Sequence, residues 1–279
     1  MRWGVVSDIH GNLPALQAVV AHAGAVDGWL NLGDILSGPL WPAETADWLM
    51  PRRWPTIAGN HERQLLTLPP QRLAPTDAHT AGRLTPAHRQ WLASLPPALE
   101  PGPGLHCVHG SPRSDLEYLL ETVTPHGLRP ARRAEVAERL GLDRRQPDAA
   151  RRLPPQEGPA RGVVLQAGCA RLVLCGHSHL PRDRRLGALR LVNPGSVGLP
   201  AFDDDRPFEH RAETGSPHAR YALVEATHAG GWRVSLRAVA YDWDAAAARA
   251  EAQGRGDWAD ALRSGRVGRL EREVVGGRA

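Results

Sequence analysis

The sequence predicts an α/β layered fold, and three observations predict it. In the first two thirds of the chain, short β-branched or leucine-rich runs alternate with helical patterns. From about Leu189 strand-like runs follow one another with no helix between them. Five polar clusters, finally, each come directly after an apolar strand-like run.

Taken in order, Trp3 to Ser7 reads as the first strand. Asn12 then caps a helix with Leu13, Leu16, Val19 and Val20 on one face. Gly28 to Leu32 is a second strand. Pro42 to Met50 is a short helix with Trp48 and Leu49 inward, Pro55 to Ala58 returns as a strand, and a helix runs from about Glu62 to Leu68. Thr85-Pro86 starts another helix, with threonine as cap and proline in the first turn. Leu105 to Val108 and Leu172 to Cys175 are further strands, each ending at a histidine-bearing loop. Leu189 to Val192, Tyr221 to Glu225 and Trp232 to Ala240 are consecutive strands that suggest a second sheet on the first.

The chain reads as one domain, residues 1–279, with an insertion at about 111–158 capping the site. Helical patterns at Leu116 to Thr122 and Ala131 to Leu140 and a loop from Gln146 to Gly158 make up that insertion. A terminal helical hairpin at about 244–263 is broken at Gly254-Arg255-Gly256, and the tail after Gly268 is expected to fray.

Composition narrows the class. Hydrophobic residues at 42% and charged residues at 23% are ordinary for a globular chain of 279 residues and argue against long disorder. The net charge of +4 comes entirely from arginine, since the chain has no lysine, and thirty acidic residues interleave with it. No basic stripe results, so nucleic acid is a weakly supported partner; Arg129 to Arg139 and Arg182 to Arg185 read as solvated faces. Cys107, Cys169 and Cys175 have no repeated spacing and read as buried free thiols in a reducing compartment. No run approaches the ~20 apolar residues of a membrane span, and Met1 leads directly into a strand. A cytoplasmic location is the default expectation.

The five clusters are Asp8-Ile9-His10, Gly33-Asp34, Gly59-Asn60-His61-Glu62, His109-Gly110 and Gly176-His177-Ser178-His179. In an open α/β sheet the carboxyl ends of parallel strands share one edge, where ligands bind, so five segments deliver polar side chains to one place. Asp8 and His10 stand two apart, as do His177 and His179, which in extended backbone points each pair the same way. The mixture of carboxylate, imidazole and amide suits a pair of transition-metal ions, with an aspartate such as Asp34 able to bridge both. Magnitude favours metals over simple acid–base catalysis if the substrate is a phosphate ester. A positioned general base contributes about 10²- to 10⁴-fold. Metal coordination takes the pKa of water from about 16 to about 7, on the order of 12 kcal/mol as an upper bound.

In this order, the clusters resemble the calcineurin-like metallophosphoesterase superfamily over residues 8–179. The chain length, Asn12, the His109-Gly110-Ser111-Pro112 run and Asn193-Pro194-Gly195-Ser196 resemble its bacterial single-domain branch. The resemblance implies a β-sandwich of two mixed sheets flanked by helices (αββα layers). It implies one metal held by Asp8, His10, Asp34 and His179 and another by Asp34, Asn60, His109 and His177. A hydroxide bridging the metals would attack phosphorus in line, with His61 stabilising the transition state or protonating the leaving oxygen. Mn²⁺ is expected first, with Fe, Zn, Ni or Co as alternatives.

Where the Ser/Thr protein phosphatases and the symmetrical dinucleoside tetraphosphatases that resemble them carry Asp-Arg-Gly after the bridging aspartate, this chain has Ile35-Leu36-Ser37-Gly38, and the last histidine motif also differs, so protein phosphatase activity is not expected. Compact bacterial phosphodiesterases often carry cysteine at the position of His61, which leaves monoester beside diester hydrolysis. Nucleotides are one candidate class of such esters; a dinucleoside polyphosphate hydrolase of the diadenosine tetraphosphate type is the alternative within the class. A non-catalytic, partner-binding scaffold on the same fold is the alternative outside it. Arg113 and Tyr118, beside the fourth cluster, are candidate substrate contacts. Ser178 permits a tight turn, and Asn193 either braces the histidine loop or starts a turn with Pro194. His22, His79, His88, His106, His126, His210, His218 and His228 lack partners at ligand spacing; most read as surface groups.

Overall fold

The computed structural model describes residues 1–142, 172–227 and 231–276. The first strand, β1 (Arg2–Val6), leads through the Asp8 loop into α1 (Leu13–Ala23), whose cap Asn12 accepts the Ala15 amide at 3.2 Å. Next come β2 (Gly28–Asn31), α2 (Pro42–Leu49), α3 (Asn60–Thr67), α4 (Pro75–Ala81) and α5 (Pro86–Ala93), the last capped by Thr85 as its sequence predicts. The chain continues through β3 (Ala98–Gly102), β4 (Leu105–Val108), the hairpin β5 (Glu121–Thr124) and β6 (Gly127–Pro130), and α6 (Arg133–Arg139). Then follow β7 (Leu172–Leu174), β8 (Arg182–Leu186), β9 (Leu189–Asn193), β10 (Ala201–Asp204), β11 (His210–Glu213), β12 (Ala219–Ala226) and β13 (Trp232–Val239). Three helices end the described chain: α7 (Trp243–Ala252), α8 (Gly256–Ser264) and α9 (Glu271–Gly276).

Two sheets form a sandwich. One has the order β13-β12-β1-β2, and the other β3-β4-β7-β9-β8. Val5, Leu30, Ala222 and Val224 of the first meet Leu105, Cys107, Leu172, Leu174 and Val192 of the second in one buried apolar layer. Outside the first sheet, Leu16 and Val19 of α1 pack with Val6, Tyr221 and Leu223. Outside the second, Val136 of α6 and Leu140 cover Val108, Val173 and Leu191. The layers are therefore α, β, β, α. β1 runs parallel to β2, and β4, β7 and β9 run parallel to one another. Their carboxyl ends carry Asp8, Asp34, His109 and His177, and this places the site.

Several expectations need correction. The three strands expected from Leu189 on do not share a sheet of their own: β9 joins β7, whereas β12, with β13 on its other side, pairs antiparallel with the free edge of β1. Pro55 to Ala58 makes a single bridge, Thr56 to Asn31, since Pro55 has no amide to donate. Leu116 to Thr122 is not helical. Its β-branched end instead starts β5, which turns at Pro125 and His126 to pair with β6, so the described part of the insertion is a hairpin followed by α6. The loop expected from Gln146 to Gly158, Cys169 and His228 lie outside the described residues. Between Gly268 and Gly276 the described chain forms α9, where fraying was expected, tied down by Glu271 against Arg255 at 2.8 Å. Cys107 and Cys175 are buried free thiols. Among the described residues no helix is long and apolar enough to cross a membrane.

Candidate metal centre

Backbone bonds zip the polar loops together at the sheet edge. Asp8 N donates to Gly33 O at 2.9 Å, His10 N to Asp34 O at 3.0 Å, and Gly176 N to His109 O at 2.7 Å. Glu62, fully buried, ties in the third cluster: its carboxylate accepts the amides of Asp34 at 2.8 Å, Ile35 at 2.9 Å and Gly59 at 2.9 Å. A side chain on Gly59 would place Cβ 2.2 Å from Asp34 Oδ1, so only glycine lets these loops approach.

The expected ligands converge in two groups. Within Asp8, His10 and His179, and again within Asp34, His109 and His177, the candidate ligand atoms all lie within 4.8 Å of one another. Asn60 Oδ1 is 3.1 Å from His109 Nε2, which is 3.0 Å from Asp34 Oδ2. The two-residue spacing works differently from the extended geometry expected. Asp8, His10, Asp34, His177 and His179 have φ of 53°, 51°, 53°, 67° and 57°, all left-handed. Among the described residues only one other non-glycine residue, Arg53, has positive φ. Strain of about 1–3 kcal/mol per residue, gathered at one spot, marks a functional site rather than a folding necessity.

The imidazoles are oriented for cations. Nδ1 of His10, His109 and His179 each lies 2.7 Å from a backbone carbonyl, those of Ser37, Leu32 and Leu199. A carbonyl only accepts, so Nδ1 carries the hydrogen and a neutral ring presents an Nε2 lone pair inward. His10 Nε2 and His179 Nε2 face each other at 3.1 Å, an arrangement that calls for an electrophile between them. Burial and the neighbouring His179 push the His10 pKa down to about 3, and burial with His109 pushes His177 down to about 4, so both rings are neutral and able to accept a cation. Burial works against charge at Asp34 as well, but His109 and His61 outweigh it and hold this carboxylate well below the usual range. At His109 burial is outweighed by Asp34, which pushes the imidazole up to about 10; a cation taking the place of that proton would satisfy the same field. The donor set therefore fits two divalent ions.

Beside the ligands stands His61. Its Nδ1 donates to Asp77 Oδ1 at 2.8 Å, and Ser37 Oγ donates to the same oxygen at 2.5 Å. Burial lowers the His61 pKa, but Asp77 and Asp34 outweigh it and raise it to about 10. Asn193 braces the histidine loop through Gly176 O at 2.8 Å and Ser178 Oγ at 3.1 Å. Tyr118 and Arg113 both line the cleft over the site. The Tyr118 ring lies 4.8 Å from that of His177, with its hydroxyl 3.0 Å from His210 Nε2. Arg113 instead turns to Glu117, with Nε and Nη2 at 2.7 and 2.6 Å. His88, His106 and His210 are buried rather than on the surface.

Sequence reasoning missed Asp77, Ser37 and the clamp made by Glu62. Asp77 lies on α4, where Pro75 at the first position and an acidic residue in the first turn were the available signs of a helix start. The capping-box spacing of Gly59 and Glu62 was the available sign for the clamp.

The calcineurin-like phosphoesterase family model matches residues 1–181, and that of the calcineurin-like phosphoesterase superfamily domain matches residues 155–210. The chain belongs to the calcineurin-like phosphoesterase family. Among solved structures it is similar to a metallophosphoesterase from Sphaerobacter thermophilus, at 24% identity and a TM-score of 0.69, covering 95% of this chain and 99% of that one. It is also similar to a hypothetical protein from Pyrococcus horikoshii OT3, at 18% identity and a TM-score of 0.65, covering 95% and 98%. At these identities the likeness concerns the fold. No curated protein matches the chain.

Proposed function

We propose that the chain hydrolyses phosphate esters, diesters or monoesters with nucleotides among them, using two divalent transition-metal ions of which Mn²⁺ fits first. The observation that carries this reading is the meeting of two ligand triads in which His10, His109 and His179 are each oriented by a backbone carbonyl at Nδ1. Asp8, His10 and His179 would hold one ion and Asn60, His109 and His177 the other, with Asp34 serving both. When bound, the ions supply Lewis acidity toward phosphoryl oxygens and lower the pKa of water. Two carboxylates, Asp8 and Asp34, leave a net positive centre that draws a phosphate anion. His61, protonated and fixed at Nδ1 by Asp77, offers Nε2–H to the leaving oxygen. Tyr118 forms the wall against His177 and is the proposed substrate contact; Arg113 would join it only after leaving Glu117.

Asp34→Ala and Asn60→Ala test the reading. Each is expected to abolish turnover of a chromogenic phosphoester while circular dichroism shows the fold retained; retained turnover contradicts it. A second reading, hydrolysis of dinucleoside polyphosphates, has as its ground the wall that Ser111 to Tyr118 makes beside the site, where a second nucleoside could rest. Comparing diadenosine tetraphosphate with cyclic nucleotides under manganese separates the two. A non-catalytic scaffold would take up no metal, which elemental analysis reads.

A further inference from the structure

The two family models end at residues 181 and 210, so α7 and α8 lie beyond both. These helices nonetheless reach the metal centre. Trp258 of α8, 6% exposed, stands edge-on to His10 with centroids 5.8 Å apart and planes at 82°. It packs in one cluster with Leu40 and Leu199. Leu199 supplies the carbonyl that orients His179, and the turn leading to Leu40 begins at Ser37, whose carbonyl orients His10. Within that turn Gly38 is wedged between the two partners: a Cβ there would lie 2.6 Å from His10 O and 2.8 Å from Trp258 Cη2. α7 grips the same turn, with Arg249 Nε donating to Leu40 O at 2.6 Å and its guanidinium 4.9 Å from the Trp41 ring. The other ligand group is held differently. His109 is oriented by Leu32 O at the end of β2, and His177 lies against Tyr118.

We infer that the α7–α8 hairpin is a clamp for the Asp8–His10–His179 ion alone, with Trp258 as the positioning residue that fixes the His10 ring and shields that side of the ion from water. The inference rests on the two-metal reading proposed above. Packing and the neighbouring shell govern ligand orientation and solvent access, and such neighbours typically change metal affinity about 10- to 100-fold. Loss of the Trp258 ring therefore separates the two ions, whereas general loss of stability does not.

The experiment is equilibrium dialysis of the full chain against Mn²⁺ with elemental analysis, alongside electron paramagnetic resonance. Wild type is expected to bind two ions with a spin-coupled signal. Trp258→Ala is expected to keep one ion tightly, to bind the other about 10- to 100-fold more weakly, and to show an uncoupled signal. Adding Asn60→Ala removes the ion that remains. Trp258→Phe restores part of the lost affinity. Val224→Ala, a core change at the far end of β1 opposite Trp3, lowers stability and keeps both ions. Should Trp258→Ala not fold, Arg249→Met tests the same clamp and is expected to weaken the first ion only. Two ions of unchanged affinity in the folded variants, or loss of the same ion in Val224→Ala, overturns the inference. A wild type that takes up no manganese fails at an earlier point: it overturns the two-metal reading and, with it, the clamp.

Discussion

His61 Nδ1 donates to Asp77 Oδ1 across 2.8 Å, joining the third polar cluster to a helix sixteen residues further on. The bond fixes the tautomer, holds the ring upright in the cleft and keeps it charged. His61→Ala is expected to lower kcat by about 10²- to 10⁴-fold with a smaller change in KM. Asp77→Asn carries the sign test. Against burial, which lowers it, Asp77 raises the His61 pKa above the ordinary value, so His61 holds its proton through neutrality and loses it as pH rises through the raised value. Removing the Asp77 charge lowers the folded pKa, so the alkaline limb of the kcat profile is expected to move to lower pH; an unmoved limb contradicts this role.

Gly59 is required by contact rather than by turn geometry. Gly59→Ala places a methyl group within 2.2 Å of Asp34 Oδ1 and 2.6 Å of its backbone nitrogen. Metal uptake and phosphoesterase turnover are both expected to fail while far-UV circular dichroism stays that of the native protein. Full metal content in this variant would count against the loop geometry described.

Glu62 accepts three amides with two oxygens, and a glutamine cannot do so because its NH₂ group would face an N–H. Glu62→Gln is expected to cost about 1–3 kcal/mol, read by urea unfolding of metal-free protein. An unchanged midpoint would show that the clamp is not needed.

Arg113 is already engaged with Glu117 by two short bonds. Arg113→Ala is therefore expected to leave KM for a phosphate ester within about threefold, the scale of a lost surface ion pair. Tyr118→Ala, which strips the ring from His177, is expected to raise KM and weaken metal binding together, and Tyr118→Phe to retain most of both. A tenfold rise in KM for Arg113→Ala would return that residue to the substrate.

The sandwich, its parallel strands and the seven candidate ligands were legible because each ligand follows an apolar run, and a parallel sheet carries all such ends to one edge. Other features depend on partners distant in sequence. The left-handed φ of Asp8, His10 and Asp34 comes from interloop bonds such as His10 N to Asp34 O, which no spacing rule contains. Asp77 was hidden because α4 is a seven-residue helix with little periodicity. β12 could not be assigned to β1 from its own sequence, since an alternating strand fits either sheet equally well. The burial of His210 follows from its bond to Tyr118, more than ninety positions away in the segment that precedes β5.

Anomalous diffraction from crystals equilibrated with manganese tests the central claim most directly. Two peaks are expected, one among Asp8, His10 and His179 and one among Asn60, His109 and His177, with Asp34 touching both. A manganese-replete crystal with no peak at these side chains, or with a single peak that leaves either triad bare, would contradict it.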